Sequence, residues 1–411
     1  MRPISINGYC FERVHIWEQY DWKTPVFVEL VIEVFYPESR DANGLVMFNH
    51  GFLIGNDLLF YPKKIIGAFL NDNPLFGIAP SAYYNYTRAI VEKNWAMAFV
   101  TAAHIQSVFL PWIDFGGNPR VGQDAYTAAS YLVKYGVTDE FYRIDEHNRG
   151  GSFYKEEILN RSRFMKGNNV VFAGHSAGGA HAQVAAVGFE RLREIGRKTG
   201  CLYNPVIYDR EFLPAYSERM EKWKPEDRAN PVGLIQLSPV DMKVLLFVPG
   251  MKEYRRVLSE IPMPMLMLTG QCDCATLKKS NPPSWSSDPS VVTQFSELSA
   301  PGSWTVLASV ENGSHCGYLT EKSCWCSQAD NPSKCTLCPD TDPYRAKGAE
   351  TAFTSELFRR FLRLYPDTQA FSGTRDEWFL SDFIRWLDKE SPDGTVKLLP
   401  FPDGRHVCFS N

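Results

Sequence analysis

No continuous apolar run in the chain reaches the ~18–20 residues that a membrane-spanning helix requires, so no transmembrane segment is expected. Excess positive charge is lacking as well. Lys and Arg number 43 against 47 Asp and Glu, a formal net charge of −4, and the pI is about 6.1. Such a balance leaves no electrostatic footprint for nucleic acid or for an anionic membrane surface. Residues 1–20 carry Arg2, Glu12, Arg13 and Glu18 and have no apolar stretch between them, so no signal peptide is visible. Internal repeats and low-complexity tracts are absent. Cysteine is scarce outside one region: of ten, only Cys10, Cys201 and Cys408 lie outside the stretch from Cys272 to Cys338. That distribution argues against a disulfide scaffold for the whole fold and for a local cross-link or metal clip. It permits a secreted or otherwise oxidising compartment without fixing one.

What is present is the profile of a soluble globular chain. Its 411 residues are 44% hydrophobic and 22% charged, with a mean hydropathy of −0.25, enough to bury one large core. Apolar runs rich in β-formers alternate with helical stretches, the pattern of a mostly parallel sheet with helices on both faces. Strands are expected at Val26–Tyr36, Gly44–Asn49, Ala96–Ala102, Asn169–Ala173, Gly233–Leu237, Met265–Thr269 and Trp304–Val310. Helical spacing marks Ala82–Lys93, Gly122–Tyr135, Ala177–Gly196, Tyr344–Leu364 and Trp378–Leu387, and an extended tail follows from Val396. Long segments at 52–81, 104–120, 199–231 and 316–342 interrupt the pattern, as lids and binding loops do. One domain over residues 1–411, decorated by these insertions, is the expected organisation.

The strongest chemical signal is Val170-Val171-Phe172-Ala173-Gly174-His175-Ser176-Ala177-Gly178-Gly179. Gly174, Ser176 and Gly178 satisfy G-x-S-x-G, with an apolar strand before and an alanine-rich helix after. In that context a serine sits on a sharp strand-to-helix turn that exposes its hydroxyl. The Ala177 amide, at the helix N-terminus, is then aimed where an oxyanion forms. A second oxyanion donor is expected after an earlier strand, and Asn49-His50-Gly51-Phe52 supplies it through the Phe52 amide.

The chain order for such a site is nucleophile, acid, histidine. His315, in the loop Glu311-Asn312-Gly313-Ser314-His315 after a strand, fits the base; His406 in the tail lacks that context. Two carboxylates compete for the acid. Asp273 follows the strand before the histidine loop and is favoured by position, with Asp241 in Leu237-Ser238-Pro239-Val240-Asp241 as the alternative. Cys272 and Cys274 flank Asp273, and Cys316 follows His315, so a bridge between the two loops would fix acid against base. Cys324, Cys326, Cys335 and Cys338 form a second cluster, read as two short disulfides or as a tetrahedral zinc knuckle, with spacing closer to the former. Three N-x-S/T sequons, at Asn85, Asn160 and Asn312, carry little weight.

Asn49-His50-Gly51-Phe52, Gly174-His175-Ser176-Ala177-Gly178-Gly179 and Gln236-Leu237-Ser238-Pro239-Val240-Asp241 resemble the corresponding elements of chlorophyllases. The order of elements is similar to that of platelet-activating-factor acetylhydrolases and cutinase-like polyester hydrolases, over roughly residues 26–320. The resemblance implies an α/β-hydrolase fold and a serine esterase with Ser176, His315 and the Phe52 and Ala177 amides in its site. It leaves the acid open, since chlorophyllases place it in the loop matching Asp241 and the polyester hydrolases in the loop matching Asp273. Ala177 stands where chlorophyllases typically have an arginine. Aromatics crowd the expected site loops (Phe60, Tyr61, Phe69, Phe76, Tyr83, Tyr84, Phe109, Trp112, Phe115); they suit a bulky, lipid-like ester or else pack the loops onto the sheet. The expected chemistry needs no metal or organic cofactor. Two other readings stay open: amide, lactone or C–C hydrolysis or acyl transfer at the same residues, and a non-catalytic binding module on the same fold.

Overall fold

The computed structural model describes residues 4–6, 8–21, 26–51, 80–104, 120–137, 162–199, 220, 223–240, 251–270, 273, 291–298, 304–310, 313–320, 347–365, 385–386, 396–398 and 407–408. In chain order these form β1 (Ile4–Ile6), β2 (Tyr9–Asp21), β3 (Val26–Pro37), β4 (Leu45–Asn49), α1 (Asn85–Val91), β5 (Ala96–His104), α2 (Arg120–Tyr135), β6 (Asn169–His175) and α3 (Ala177–Ala186). There follow α4 (Phe189–Thr199), β7 (Asn230–Leu237), α5 (Met251–Ser259), β8 (Pro264–Gly270), α6 (Val291–Leu298), β9 (Trp304–Val310), α7 (Lys347–Phe361), β10 (Val396–Leu398) and β11 (Val407–Cys408).

All eleven strands join one sheet in the order β1-β2-β3-β5-β4-β6-β7-β8-β9-β10, with β11 also paired to β9. From β5 through β9 every pairing is parallel. The amino-terminal strands and the two short tail strands add antiparallel edges. Parallel strands covered on both faces read as unbroken apolar runs, and every residue of β4, β6 and β8 is buried. Alternate residues serve opposite cores. Leu45, Met47, Phe172 and Met267 meet Tyr126, Ala180, Leu258 and Phe295 from α2, α3, α5 and α6. Val46, Phe48, Val171 and Leu266 meet Tyr86, Ile90, Leu357 and Phe358 from α1 and α7. Full burial of such a side chain is worth roughly 1.5–3 kcal/mol, so both layers hold the sheet.

The strand order reverses at β4, which lies between β5 and β6. The chain leaves β4 to one side and later returns on the other, and this opens a crevice beyond the carboxyl ends of β4 and β6. Asn49 pairs with Gly174 in the parallel register, so the His50-Gly51 turn and the Ser176 turn emerge side by side.

Three expectations change in detail. The helix expected over Ala177–Gly196 is two, α3 and α4, divided at Gly188, whose φ of +79° ends the first. The helix expected from Ala82 begins at Asn85, after a 3-10 turn over Pro80–Tyr83. Strand β2 had no counterpart in the sequence reading, because Glu12, Arg13, His15 and Glu18 blur its alternation; within the sheet Arg13 is paired with Glu33 across the strands at 2.6 Å. Most of the four insertions, and most of the helix expected at 378–387, lie outside the described residues.

Candidate active site

Strand β6 runs straight into Ser176, whose φ of 57° and ψ of −125° lie where non-glycine residues seldom go. Such a backbone costs on the order of 1–3 kcal/mol and persists where the surroundings over-determine it. Here they do. The Ser176 N–H donates to the Leu237 carbonyl at 3.0 Å, and its own carbonyl accepts from Gly179 at 3.0 Å and Val240 at 3.1 Å. The flanking glycines are needed for close approach. A Cβ on Gly174 would lie 2.1 Å from the Gly178 carbonyl oxygen, and one on Gly178 would lie 2.1 Å from that of Asn49. Only bare backbone fits between α3, β6 and β4.

The hydroxyl turned out by this bend meets an imidazole. His315 Nε2 lies 2.9 Å from Ser176 Oγ. Its Nδ1 lies 3.0 Å from Asp273 Oδ2 and 3.1 Å from Oδ1. A carboxylate accepts only, so Nδ1 carries the proton and Nε2 presents its lone pair to the hydroxyl. Asp273 and His315 are fully buried and Ser176 nearly so, which strengthens each of these interactions relative to water. Asp273 comes three residues after β8 ends, its N–H bonded back to Gly270. His315 follows β9 in a turn that begins with Gly313 N–H on the Val310 carbonyl. A serine on a strand–turn–helix bend, an acid and a histidine after later strands, and a parallel sheet covered on both faces now stand together. The fold is that of the α/β-hydrolases.

Ala177 is the first residue of α3, and its amide is one of those that a helix leaves without an intrahelical acceptor. Phe52 and Asp241 lie outside the described residues. So do Cys272 and Cys274 and the cluster Cys324, Cys326, Cys335 and Cys338; Cys316 is described and buried. Among the described residues no group of three or more His, Cys, Asp or Glu could hold a metal ion. None of the described helices is long and apolar enough to cross a membrane. Of the expected site aromatics, Tyr83 and Tyr84 pack onto the sheet, Tyr83 on Phe48 at 4.7 Å and Tyr84 on Phe35 at 4.8 Å. For these two the packing role is the one observed; the other seven lie outside the described residues.

Three polar residues beside this site have contacts that the sequence did not indicate. Asn49 donates from Nδ2 to the Ala173 carbonyl at 3.1 Å, tying β4 to β6 three residues before Ser176. His175 is fully buried, and burial, helped by the neighbouring His315, lowers its pKa to about 3. Tyr83 lies against it, with ring centroids 5.7 Å apart. His175 was visible only as the variable position of the motif. Tyr83 stood only among the aromatics of the expected site loops; its contact with His175, 92 positions later in the chain, carried no local signal.

No protein-family model matches the chain, and no curated protein matches it. Among solved structures it is similar to a cold-adapted esterase from an Arctic intertidal metagenomic library, with a TM-score of 0.36 and 10% identity over 76% of this chain and 89% of that one. An esterase domain from a Rhodothermus marinus protein gives 0.33 and 10%, over 84% and 98%. A structure from a study of two prolyl endopeptidases gives 0.36 and 11%, over 76% of this chain and 36% of that one. At such scores the activities of these proteins say nothing about the activity of this chain.

Proposed function

We propose that the chain is a serine hydrolase that cleaves carboxylic esters through an acyl-enzyme. The observation that carries this reading is the single imidazole bonded at once to Ser176 Oγ, at 2.9 Å, and to the buried Asp273 carboxylate. That separation is within proton-transfer reach without any movement of the chain. In the first half-reaction His315 Nε2 takes the hydroxyl proton as Oγ attacks the ester carbonyl carbon. The amides of Ala177 and Phe52 receive the negative charge that develops on the carbonyl oxygen. Gly51 N–H is committed to Tyr83 Oη at 3.0 Å, which makes the next amide the natural donor from that turn. The tetrahedral adduct then collapses, and His315 returns the proton to the departing alcohol. In the second half-reaction His315 takes a proton from water as the water oxygen attacks the acyl carbon, then returns that proton to Ser176 Oγ as the carboxylic acid leaves. Throughout, Asp273 keeps the imidazole in one tautomer and offsets its charge.

The substrate class proposed is a bulky hydrophobic ester, of the chlorophyllase or polyester-hydrolase kind that the sequence motifs resemble. We further propose that Cys316 is bridged to Cys272 or Cys274. Each of those residues is adjacent to Asp273, whose carboxylate already touches the residue preceding Cys316.

The test is to replace Ser176 with Ala and offer p-nitrophenyl esters of increasing acyl length, chlorophyll and a soluble polyester oligomer. The variant should fold and turn over none of them, and a fluorophosphonate probe should label the native chain at Ser176 only. Hydrolysis retained by Ser176→Ala refutes the nucleophile. A native chain that neither hydrolyses nor becomes labelled favours a binding module. Activity confined to amides or lactones keeps the site and replaces the substrate.

A further inference from the structure

A line of hydrogen bonds runs behind the Ser176–His315 pair and joins four separate pieces of chain. The backbone N–H of Gly51, just past β4, donates to Tyr83 Oη at 3.0 Å. Tyr83 Oη lies 2.8 Å from His175 Nδ1. His175 Nε2 lies 2.7 Å from the backbone carbonyl oxygen of His315. Every direction in this line follows from the partners. A carbonyl only accepts, so His175 Nε2 carries a proton. The ring is buried and neutral, so Nδ1 is bare and accepts the Tyr83 hydroxyl proton. The phenol oxygen in turn accepts from Gly51. No member is protonated twice and none lacks a donor.

Resting on the serine-hydrolase reading, we propose that Tyr83 and His175 are positioning residues: together they fix the backbone that carries His315 and the turn that carries the oxyanion amide against the bend at Ser176. His175 is the residue immediately before Ser176, so the element that bears the nucleophile also holds the carbonyl of the residue that bears the base. Without that bond the loop after β9 has its side-chain contacts to Ser176 and Asp273 but loses this direct tie between its His315 carbonyl and β6. Tyr83 has a second effect. It occupies the Gly51 N–H, and this orients the peptide that precedes the proposed Phe52 donor. The neutrality of His175 also matters, because its ring centroid is only 4.9 Å from that of His315. A charged His175 would oppose the imidazolium that forms there during turnover. A neutral donor–acceptor ring transmits position without adding charge.

The experiment compares Tyr83→Phe, His175→Phe, His175→Gln and the double variant Tyr83→Phe/His175→Phe, each checked by circular dichroism, with kcat and KM measured on an ester the native chain hydrolyses. Loss of positioning at a reacting centre costs about 10–100-fold. Each Phe variant should lose that much in kcat with KM unchanged within a factor of about two, the behaviour of an interaction needed in the transition state. The double variant should be no worse than the poorer single one, because both cut the same line. His175→Gln keeps an amide N–H to present to the His315 carbonyl and should regain most of the loss. Unchanged kcat in both Phe variants overturns the proposal, as does a Gln variant as impaired as the Phe variant, or losses that multiply in the double variant. Should Tyr83→Phe fail to fold, the His175→Gln and His175→Phe pair decides alone. A native chain inactive on every ester overturns the serine-hydrolase reading and this proposal with it, whereas active Phe variants overturn this proposal only.

Discussion

Replacing Asp273 with Asn probes the site at its most sensitive point. The carboxylate contacts Nδ1 of His315 with both oxygens, at 3.0 and 3.1 Å, and all of these atoms are buried. Asn is nearly the same size, so packing around it should survive. Its amide, however, offers one acceptor and one donor where the carboxylate offers two acceptors. With the –NH2 turned toward the ring, Nδ1 must give up its proton to accept, and the proton moves to Nε2. That nitrogen then donates to Ser176 Oγ across the 2.9 Å contact and cannot take its proton. A wrong tautomer of this kind costs about 10⁴-fold in kcat, equivalent to about 5.4 kcal/mol of barrier. The assay is initial rates on a p-nitrophenyl ester from pH 6 to 9. KM should move little, and fluorophosphonate labelling should slow in parallel with kcat, because it needs the same activated hydroxyl. Asp241→Asn should stay within about tenfold of native. If instead Asp273→Asn keeps more than a tenth of native kcat, or Asp241→Asn suffers the larger loss, the assignment of the acid is wrong.

Stability should fall in acid for a reason that can be isolated. His175 and His181 are both held neutral, with pKa values lowered from 6.5 to about 3 chiefly by burial. In the unfolded chain both bind protons below about 6.5, so the unfolded state gains protons that the folded state refuses. Stability is therefore full above that value and declines as pH falls from about 6.5 toward 3, by up to about 1.4 kcal/mol per pH unit for each histidine. Urea unfolding at pH 7, 6, 5 and 4 measures this, and His181→Gln should flatten the slope by roughly one such increment; an unchanged slope counts against it. The proposed bridge is checked by peptide mapping without reduction, which should find Cys316 joined to a peptide containing Cys272 and Cys274. Dithiothreitol should then lower kcat while leaving Ser176 labelled more slowly. Recovery of Cys316 as a free thiol from freshly purified chain contradicts the bridge.

The parts of the fold that could be read in advance are those where burial is total. Strands β4, β6 and β8 are apolar at nearly every position because both faces are covered. The bend at Ser176 was legible because a strand, two glycine positions and a helix are written around it, and the structure shows each glycine in close backbone contact. Chain order and elimination pointed to His315 as the histidine near Ser176, and the two side chains are found together. Asp273 was favoured over Asp241 by position alone, and its carboxylate is found against His315 Nδ1; the preference stayed weak because both follow strands whose carboxyl ends lie at the same edge of the sheet, one strand spacing of about 4.8 Å apart. The ribbon of β2 and β3 was half missed, because an antiparallel edge tolerates charges such as Arg13 and Glu33 on a surface that periodicity expects to be apolar. Tyr83 stands among the aromatics of the expected site loops, but its hydroxyl lies against the buried His175 at 2.8 Å, a contact no local pattern encodes.

Loop length helps to explain why Ser176, His315 and Asp273 meet although 139 positions separate the first two and 42 the second pair. Strands β6, β7, β8 and β9 are consecutive neighbours, so their carboxyl ends form a row with a step of about 4.8 Å. Ser176 stands at the start of that row, and the loop bearing His315 leaves from its far end, three steps or roughly 14 Å away. The connection turns back at Gly313, whose N–H bonds to the Val310 carbonyl and whose backbone lies against Gly270 at the end of β8, one strand nearer to Ser176. Asp273 starts one strand nearer and comes only three residues after Gly270, so it reaches the returning ring from the side and not the serine itself. A carboxylate that reached Oγ directly would repel the developing oxyanion; one that stops at Nδ1 supports the imidazolium instead. His315 comes five residues after Val310 and Asp273 three after Gly270, and the line through Tyr83 and His175 ties the backbone of the longer connection to β6.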